Sequence, residues 1–393
     1  MRVLIAPDGF GSSLTPSQAA AALSEGWRSG APHDEVLARP LSDGGPGFVE
    51  TLRASLGGDL VATTVSGPLG DPAPAVMLLA DDTAYVESAH AVGLALVPAG
   101  RRDPMRTSTR GLGELLLHAR ATGARRIVVG LGGSGTNDAG AGVLAALGLP
   151  DPAGLLAGGG GGLVRLDDHA LDGLARIRSE WADVEVLAAA DVDVPLLGLQ
   201  GASAGFAPQK GANPEQAQAL ERALAHFSRL AVAALGDVLR PDLLAGSRAT
   251  SAATRLTHAP GAGAAGGLGF GLSLLGARVQ PGAALVADIV ALDAALAASD
   301  LVVTGEGRFD WQSLHGKVAA LVAERALAHA CPTIVVAGEV QVGRRELSAA
   351  GITAAYAVAD RPDEVAAALA DPAGTLAQRA ARVARTWSPA AGA

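Results

Sequence analysis

The sequence predicts an α/β protein built around parallel strands, and three observations lead to this fold class. Short apolar runs recur along the chain, and each is followed by a glycine or acidic turn. An alanine-rich stretch of helical character comes next, which is the rhythm of repeated βα units. The runs are apolar at consecutive positions, as expected for strands that helices cover on both faces.

Six apolar runs are predicted as strands, and two longer stretches are predicted as helices. The strands cover residues 3–6, 84–88, 127–130, 184–190, 301–304 and 333–337. The helices cover residues 15–29 and 214–235. The first helix has a recognisable start, because Thr15 can cap it and Pro16 suits its first turn.

Length and charge limit the classes of protein to which this chain can belong. Its 393 residues exceed the usual size of a single core, which favours two domains. A net charge of -9 and the lack of basic patches interleaved with aromatic residues argue against nucleic-acid and membrane partners. The single cysteine, Cys331, excludes an internal disulfide and fits a reducing cytoplasm. Because Asp8 interrupts the first apolar run, we expect no export signal there.

Two glycine-rich stretches lead to separate expectations. Residues 259–277 are uncharged but contain Pro260 and many glycines, so we expect packed backbone near a site or interface and not a membrane span. Residues 157–162 include five consecutive glycines and are predicted to form a flexible surface loop.

Polar clusters follow four of the predicted strands. Asp8 follows the first strand, residues 132–138 follow the third, Asp191 and Asp193 follow the fourth, and residues 305–310 follow the fifth. Ligands of open parallel sheets bind outside the carboxyl ends of the strands. The sequence therefore predicts a functional site at this edge.

The turn after residues 127–130 is predicted to bind phosphate. It offers backbone amides, hydroxyls and a carboxylate at a helix start, from Gly132, Gly133, Ser134, Thr136, Asn137 and Asp138. The alternative is a tight turn in which Asn137 or Asp138 only caps the helix. Residues 130–135 also fit the dinucleotide pattern G-x-G-x-x-G, but the acidic residue expected about 20 residues later is missing, which disfavours a dehydrogenase.

Asp191 and Asp193 form a pair of carboxylates just after the strand 184–190. Residues two apart in extended backbone point to the same side, so both carboxylates can face one ligand. Such a pair can hold hydrated Mg²⁺ or orient a substrate hydroxyl, with one carboxylate acting as a base. The alternative is that one of them caps the following turn.

Basic residues near glycines suggest that the protein handles phosphate. Only two lysines, Lys210 and Lys317, occur among 30 basic residues, and both lie in glycine-bearing segments. A lysine ammonium is a compact charge that suits phosphate, although both could also be ordinary surface lysines. Arg308 can clamp a carboxylate or a phosphate, unless it pairs internally with Glu306 or Asp310.

Asp8 and Asp43 are further candidates for contacts with a ligand. Each is followed directly by a glycine, at Gly9 and Gly44, where a ligand can approach the backbone closely. A carboxylate at such a position can accept hydrogen bonds from a hydroxylated substrate.

Taken in order, these segments resemble the motifs of the bacterial class I glycerate kinases. The matching segments span nearly the whole chain and are IAPD (5–8), LSDGG (41–45), GLGGS (130–134), TND (136–138), DVD (191–193), PQKGA (208–212), GAGAAGG (261–267) and TGEGR (304–308). The resemblance implies ATP-dependent phosphorylation of D-glycerate on its 2-hydroxyl group, and the single cysteine and the carboxylate pair add the expectations of a cytoplasmic location and of Mg²⁺ as a cofactor. The resemblance also implies a flavodoxin-like domain of residues 1–66 and 287–393, an inserted α/β domain of residues 67–286, and an active site in the cleft between them.

With this resemblance, each candidate residue receives a predicted role in the in-line transfer of the γ-phosphoryl group of ATP. The residues expected to act in catalysis are Asp191, which is also the expected Mg²⁺ ligand, Lys317 and Arg308. The residues expected to bind the substrate are Asp8, Asp43, Asp193 and Glu306. The residues expected to bind nucleotide phosphates are Gly132, Gly133, Ser134, Thr136, Asn137, Asp138 and Lys210.

The chain departs from the family pattern at several positions, and three of them, in the first two motifs, bear on the substrate. Gly9 and Gly11 stand where a serine and a lysine are common, and Pro46 stands where a glutamate is common. Three alternatives therefore stay open: phosphorylation of the 3-hydroxyl group, a related small hydroxy acid as substrate, and a non-catalytic sensor with a kinase fold. The oligomeric state also stays open, with a homodimer as one option.

Overall fold

The computed structural model describes residues 1–11, 13–238, 252–314 and 316–388. Within these ranges the strands are β1 (Arg2–Ile5), β2 (Glu35–Ala38), β3 (Asp59–Ser66), β4 (Pro72–Ala80), β5 (Thr83–Glu87), β6 (Arg126–Gly130), β7 (Glu185–Ala190), β8 (Arg278–Pro281), β9 (Leu301–Thr304), β10 (Arg308–Phe309), β11 (Thr333–Ala337), β12 (Glu339–Val340) and β13 (Ile352–Ala357). All six predicted strands are confirmed, with ends that shift by one residue at most.

The helices in the same ranges are α1 (Pro16–Gly30), α2 (Phe48–Leu56), α3 (Ala89–Val92), α4 (Arg110–Ala121), α5 (Ala141–Ala146), α6 (Leu174–Glu180), α7 (Ala202–Phe206), α8 (Pro214–Leu235), α9 (Ala252–Thr257), α10 (Ala264–Leu274), α11 (Gly282–Ile289), α12 (Leu292–Ala297), α13 (Val318–Ala328), α14 (Arg344–Ala349), α15 (Pro362–Ala370) and α16 (Pro372–Trp387). Both predicted helices are confirmed, as α1 and α8. Thr15 caps α1 as expected, because its hydroxyl accepts a hydrogen bond from the backbone N–H of Gln18. No helix in the part of the chain that the structure describes combines the length and apolar character needed to cross a bilayer.

The chain folds into two compact units. Unit 1 comprises residues 1–43, residues 50–57 and the chain from Gly282 onward, and unit 2 comprises residues 44–49 and 58–281. The sequence placed the first boundary after residue 66, but β3 pairs with β4 along its whole length and therefore belongs to unit 2. The second boundary falls after residue 281, at the end of β8, and not after residue 286.

The sheet of unit 1 has five strands in the order β13-β11-β9-β1-β2. Every neighbouring pair in it is parallel. Counted along unit 1 alone, this is the order 2-1-3-4-5 of flavodoxin-like sheets. After β1 the chain continues to the neighbouring edge strand β2, whereas after β9 it continues toward β11 and the opposite edge of the sheet.

Helices cover both faces of this sheet. Apolar side chains of α1 and α16 pack on one face, and those of α13 and α14 pack on the other. Two glycines of α1 allow α16 to come close, because a Cβ atom at Gly26 or Gly30 would collide with the carbonyl oxygen of Ala377 or Ala381. The result is the layered arrangement that the consecutive apolar residues of the strands predict.

A buried carboxylate joins the two ends of the chain within unit 1. Asp34 accepts hydrogen bonds from the N-terminal ammonium at 2.8 Å, from Trp27 Nε1 at 2.9 Å and from the Ser388 hydroxyl at 3.0 Å. Burial alone would raise the pKa of Asp34, but these donors together hold it below its usual value. Residues more than 350 positions apart are therefore tied to one ionised group.

The sheet of unit 2 has six strands in the order β3-β4-β5-β6-β7-β8. Strands β5 to β8 are mutually parallel, whereas β3 and β4 are antiparallel to their neighbours. A single large apolar core packs against this sheet, and the residues of β6 and β7 that reach it are almost fully buried. Both units are thus α/β structures, as the sequence predicts.

The run of glycines at residues 157–162 is packed structure, and the prediction of a flexible surface loop is wrong. Residues Gly160–Arg165 form a 3-10 helix, and Gly160 and Gly162 are buried. A Cβ atom at Gly159, Gly160 or Gly161 would meet the backbone of Arg106, Asn137 or Met105. Close packing of backbone on backbone therefore explains the absence of side chains here.

The second glycine-rich stretch is packed backbone, as expected. Helix α10 contains three consecutive residues with positive φ, from Ala265 to Gly267. A Cβ atom at Gly266 would collide with the carbonyl oxygen of Thr136, and one at Gly271 would meet Gly140. The kinked start of α10 thus holds the turn that follows β6.

Candidate active site

The carboxyl ends of β1 and β9 lie side by side in unit 1, at the point where the strand order reverses. Asp8 follows β1, and Glu306 follows β9. The two segments are joined by a hydrogen bond of 2.8 Å from the backbone N–H of Asp8 to the carbonyl oxygen of Gly305. In open α/β sheets this reversal point is where ligands bind.

A cavity of about 540 Å³ opens at this point. Its polar lining comprises Asp8, Ser13, Glu306, Arg308, Asp310, Lys317, Glu339 and Thr375. Its apolar lining comes mainly from the region of α15 and α16 and comprises Phe10, Val358, Ala359, Val365, Ala368, Leu369, Pro372 and Leu376. Four of the residues that the sequence predicted to be functional, Asp8, Glu306, Arg308 and Lys317, therefore share one cavity.

Glu306 is a buried acceptor within this cavity. Glu306 is only 8% exposed, and its Oε1 atom has no hydrogen-bond partner among the residues described. Burial raises the pKa of the Glu306 carboxyl, and the Ser313 hydroxyl and the Lys317 ammonium oppose this in part. A buried, unsatisfied carboxylate oxygen is costly for folding, which makes it a candidate for contact with a ligand.

Asp43 and Asp8 lie near this acceptor. The charge of Asp43, which is half-buried, contributes to the raised pKa of Glu306, so the two carboxylates are close. Asp8 lines the cavity, and its Oδ1 accepts a hydrogen bond of 2.7 Å from the backbone N–H of Gly9. The polar end of the cavity is therefore rich in carboxylates.

The two cations of the cavity are held differently. Strands β10 and β12 pair Arg308 with Glu339, and the Arg308 Nε lies 3.6 Å from Glu339 Oε2. The internal ion pair that the sequence suggested for Arg308 thus exists, but with Glu339 and not with Glu306 or Asp310. Lys317 is half-buried at the N-cap position of α13, where it makes no side-chain capping bond.

In unit 2 the polar side chains of the turn after β6 are buried, although the sequence predicted this turn to bind nucleotide phosphates. Thr136, Asn137 and Asp138 are all 0% exposed. Asp138 accepts hydrogen bonds from Thr109 N at 2.8 Å, Thr109 Oγ1 at 2.9 Å, Gly140 N at 3.1 Å and Gly142 N at 3.3 Å. Burial raises the pKa of Asp138, and these donors oppose the rise. The geometry therefore gives Asp138 the capping role that the sequence offered as its alternative.

Lys210 belongs to the same buried network. Its ammonium donates to Ser134 Oγ at 2.8 Å and to the carbonyl oxygen of Thr136 at 2.7 Å. Burial lowers the pKa of Lys210 to about 7, and the nearby Asp138 carboxylate opposes this shift. Lys210 is only 3% exposed, so it is neither a surface lysine nor open to solvent.

Gly132 and Gly133 face the segment 44–47 at the carboxyl edge of the unit 2 sheet. The backbone N–H of Gly132 donates to the carbonyl oxygen of Gly44 at 2.9 Å. A Cβ atom at Gly132 would collide with Gly45, and one at Gly133, where φ is +73°, would meet Pro46. Close approach of two backbone segments is thus one reason for these glycines.

Asp191 and Asp193 follow β7, as predicted, but their surroundings differ. Asp191 is half-buried, whereas Asp193 is exposed. No group of three or more His, Cys, Asp or Glu side chains within the described ranges is arranged to hold a metal ion. Mg²⁺ commonly uses only one or two carboxylates together with water and substrate phosphates. The half-buried carboxylate of Asp191 fits that mode of binding.

Glu87 is a buried acid that the sequence analysis did not select. It is 3% exposed and ends β5, and its Oε2 accepts hydrogen bonds from the backbone N–H groups of Gly47 at 3.0 Å and Val49 at 3.4 Å. Burial raises the pKa of Glu87, and the charge of His90 opposes this. Its position at the end of a predicted strand was the available signal, by the same rule that selected Asp191.

Comparisons with known proteins agree with the family resemblance. The sequence profile of the glycerate kinase family matches residues 3–388. The glycerate kinase of Bacillus subtilis is 39% identical over 367 residues, which cover 91% of this chain and 90% of that protein. The glycerate 2-kinase of Escherichia coli is 39% identical over 365 residues, with the same coverage of 91% and 90%. A crystal structure assigned to glycerate kinase 2 of Salmonella typhimurium LT2 matches with a TM-score of 0.77 and 37% identity, over 98% of each chain. The chain therefore belongs to the glycerate kinase family of enzymes.

Proposed function

We propose that this protein transfers the γ-phosphoryl group of ATP to the 2-hydroxyl group of D-glycerate. The observation that carries the proposal is the presence of the buried Glu306 oxygen and the Lys317 ammonium in one cavity. A carboxylate that accepts from hydroxyl groups and a cation that attracts carboxylate or phosphate match the two reactive groups of this substrate pair. The similarity to the Escherichia coli glycerate 2-kinase supports phosphorylation at the 2-position.

In the proposed reaction the substrate hydroxyl oxygen forms a bond to the γ-phosphorus while the bond to the β,γ-bridging oxygen breaks and ADP leaves. Glu306, Asp8 and Asp43 hold the hydroxyl groups of glycerate. Lys317 and Arg308 attract its carboxylate and the transferred phosphoryl group. Catalysis then rests mainly on positioning and on neutralisation of charge.

Asp191 is proposed to accept the hydroxyl proton or to bind Mg²⁺, with the exposed Asp193 in a supporting role. Mg²⁺ would supply neutralisation of the charge on the triphosphate. Replacing Asp191 by Asn should lower kcat strongly while the unfolding midpoint stays the same. A variant with normal kcat would remove Asp191 from the mechanism.

Three further parts of the proposal come from the sequence. The protein is cytoplasmic, Mg²⁺ accompanies ATP, and the turn 132–138 with Lys210 is offered as a second contributor to phosphate binding. In that turn Ser134, Thr136, Asn137 and Asp138 are all buried, and Ser134 Oγ accepts a hydrogen bond from Lys210, so the more exposed backbone at Gly132 and Gly133 is what remains to contact a phosphate. A raised KM for ATP in Ser134→Ala would place this turn at the nucleotide, and an unchanged KM would remove it from the site.

The function is tested with purified protein, ATP and Mg²⁺. D-Glycerate, L-glycerate, glycolate and tartronate are compared by ADP formation, and the product from D-glycerate is identified by phosphorus and carbon NMR. We expect the highest kcat/KM for D-glycerate and a single product phosphorylated at the 2-position. A product phosphorylated at the 3-position would contradict the regiochemistry, and the absence of turnover with any acid would contradict the function.

A kinase of a related small hydroxy acid is the second candidate, and the loop after β1 favours it. Gly11 replaces the common lysine, has φ of +59° and has no atom within 4 Å of the position that its Cβ would take. A substrate with a different shape or charge therefore has space beside this loop. A higher kcat/KM for glycolate or tartronate than for D-glycerate would support this candidate over the first.

A further inference from the structure

We infer that the cavity of unit 1 is the binding site of the nucleotide. The adenine base lies against the apolar side of the cavity, which is formed by Val358, Val365, Leu369 and Leu376 and is called the wall below. The inference rests on the proposed function, because it takes ATP as the phosphoryl donor. It differs from the sequence-based prediction, which assigned the nucleotide phosphates to the turn 132–138 of unit 2. The phosphates extend toward Gly9, Gly11 and Lys317.

The volume of the cavity is the first argument. At about 540 Å³ it lies well within the range of about 300–1,000 Å³ that is typical of pockets for larger organic ligands. A three-carbon acid fills only a small part of such a space. A nucleotide fills it and still leaves the acid in contact with the polar end.

The division of the cavity into an apolar and a polar half is the second argument. D-Glycerate carries a polar group on every carbon, so it has little apolar surface to bury against aliphatic side chains. A purine base is flat and weakly polar, so aliphatic side chains can cover its faces. Leu369 is 63% exposed although it lines the cavity, and none of the residues of α15 is buried. A bound base would cover this exposed apolar surface.

The backbone at the polar half is the third argument. Gly9, Gly11, Gly307 and Gly338 all line the cavity, so a ligand can come close to the main chain there. Gly11 has space around it, with no atom within 4 Å of its Cβ position. Lys317 begins α13 at the same cavity, and its ammonium is a compact charge suited to phosphate. The buried, unpaired Oε1 of Glu306 is an independent sign that this region receives a ligand.

The position in the sheet is the fourth argument. In flavodoxin-like sheets of the order 2-1-3-4-5, a nucleotide-type ligand binds at the switch point between the neighbouring first and third strands, where the connections that follow them run in opposite directions. Here these strands are β1 and β9, and the residues that follow them form the polar half of the cavity. In unit 2, by contrast, Lys210 is already committed to Ser134 and Thr136.

Photolabelling can locate the base directly. The protein is irradiated with 8-azido-ATP, digested and mapped by mass spectrometry, with and without an excess of ATP. We expect the label that ATP suppresses to lie within residues 358–376. Suppressible label in residues 130–142 or in any other peptide, or no suppressible label at all, would overturn the inference.

Calorimetry with a matched pair of leucines tests the wall. Leu369→Gln changes the wall, whereas Leu327→Gln changes a leucine of α13 that is similarly exposed, at 67%, and does not line the cavity. We expect Leu369→Gln to weaken binding of ATP several-fold and to leave the binding of inorganic tripolyphosphate unchanged. Leu327→Gln should alter neither. Equal loss for ATP and tripolyphosphate, or no loss in Leu369→Gln, would overturn the placement of the base.

These measurements contain no acceptor acid, so their outcome is separate from that of the proposed function. If D-glycerate is not phosphorylated but suppressible label lies within residues 358–376, the proposed function is contradicted and the nucleotide site in unit 1 is supported. If D-glycerate is phosphorylated and Leu369→Gln raises the KM for glycerate alone, the proposed function is supported, but the wall contacts the acid and the nucleotide site is contradicted.

Discussion

The carboxyl edges of the two parallel sheets differ in how they treat their polar residues. In unit 1 the residues that follow β1 and β9 line a cavity, and one oxygen of Glu306 has no hydrogen-bond partner among the residues described. In unit 2 the side chains of Thr136, Asn137 and Asp138 after β6 are fully buried, and the Asp138 carboxylate accepts four hydrogen bonds. Position at the edge therefore does not by itself distinguish a ligand-binding carboxylate from one that holds the fold together. The hydrogen-bond partners distinguish them.

The largest expected effect is on catalysis, at Glu306. Glu306→Gln should lower kcat/KM by about 10²–10³-fold, as expected when one positioned polar group is lost from an active site. Stability should stay the same or rise, because the substitution removes a buried charge. Kinetics and thermal unfolding measure the two effects.

Glu339→Gln is the control for this prediction. Glu339 lines the same cavity, but it forms an exposed ion pair with Arg308, and such pairs contribute only about 0–1 kcal/mol. Its kcat/KM should change by less than that of Glu306→Gln. Equal effects from both substitutions would mean that the unpaired oxygen has no special role.

The next effect is on folding, at Asp138. Asp138→Asn places an amide N–H₂ among donors and should lower the free energy of unfolding by about 2–4 kcal/mol. Protein that remains folded should keep nearly normal kinetics. Denaturant unfolding and the KM for ATP are the measurements. Normal stability of Asp138→Asn together with a raised KM for ATP would support the nucleotide-binding role that the sequence suggested. Asp138 and Glu306 would then both be ligand-binding carboxylates.

Lys210 gives unit 2 a dependence of stability on pH. The unfolded chain keeps this ammonium up to its ordinary pKa of 10.5, whereas the folded chain releases the proton near pH 7. The unfolded state therefore binds more protons between these values, so this residue makes the free energy of unfolding rise with pH, by at most about 1.4 kcal/mol per pH unit. Below pH 7 both states hold the proton and the contribution is flat.

Replacing Lys210 by Met should reduce the rise of the free energy of unfolding with pH, as measured by urea unfolding between pH 7 and 9. Lys317→Met, in the half-buried position of unit 1, is the matched control and should keep the slope. A slope that persists in Lys210→Met would show that another group causes it.

The smallest expected effect is at Gly11, on the rim of the unit 1 cavity. Gly11→Lys adds a cation near the proposed phosphates and should lower the KM for ATP about two- to five-fold, which corresponds to an exposed charge pair. A lysine at φ of +59° should also cost about 1–2 kcal/mol of stability. Gly57→Lys is the control, since Gly57 has φ of +70°, open space around it and no part in the cavity. A similar change in KM for both variants would remove Gly11 from the site.

The sequence predicted the local elements well because their signals are local. The apolar runs gave strands within one residue, and Thr15-Pro16 marked the start of α1. The positions of Asp8, Asp191 and Glu306 after strands were also correct, since they follow from the strands themselves.

Burial and distant packing were not predictable in this way. Asp138 and Glu306 both follow strands and have neighbouring glycines, yet the packing of Thr109 and α5 around Asp138 supplies it with four hydrogen bonds, whereas Oε1 of Glu306 has no partner among the residues described. The glycines at 157–162 looked like a loop because the segments that pack against them, near Arg106 and Asn137, are distant in sequence. The wall of the unit 1 cavity has no motif, because aliphatic residues on α15 and α16 resemble any helix surface.

The construction of unit 1 from both ends of the chain has a consequence for synthesis on the ribosome. Helix α1 precedes the strands of unit 2 along the chain, but α16, which packs against it, and Ser388, which bonds Asp34, follow them. The strands β3 to β8 of unit 2 lie between these segments and can pair while α1 still lacks this partner. Contacts between segments so far apart in sequence form slowly, so a nascent chain exposes the apolar face of α1 until α16 has been synthesised. Loss of the last helix would therefore leave an aggregation-prone protein whose unit 2 had already folded.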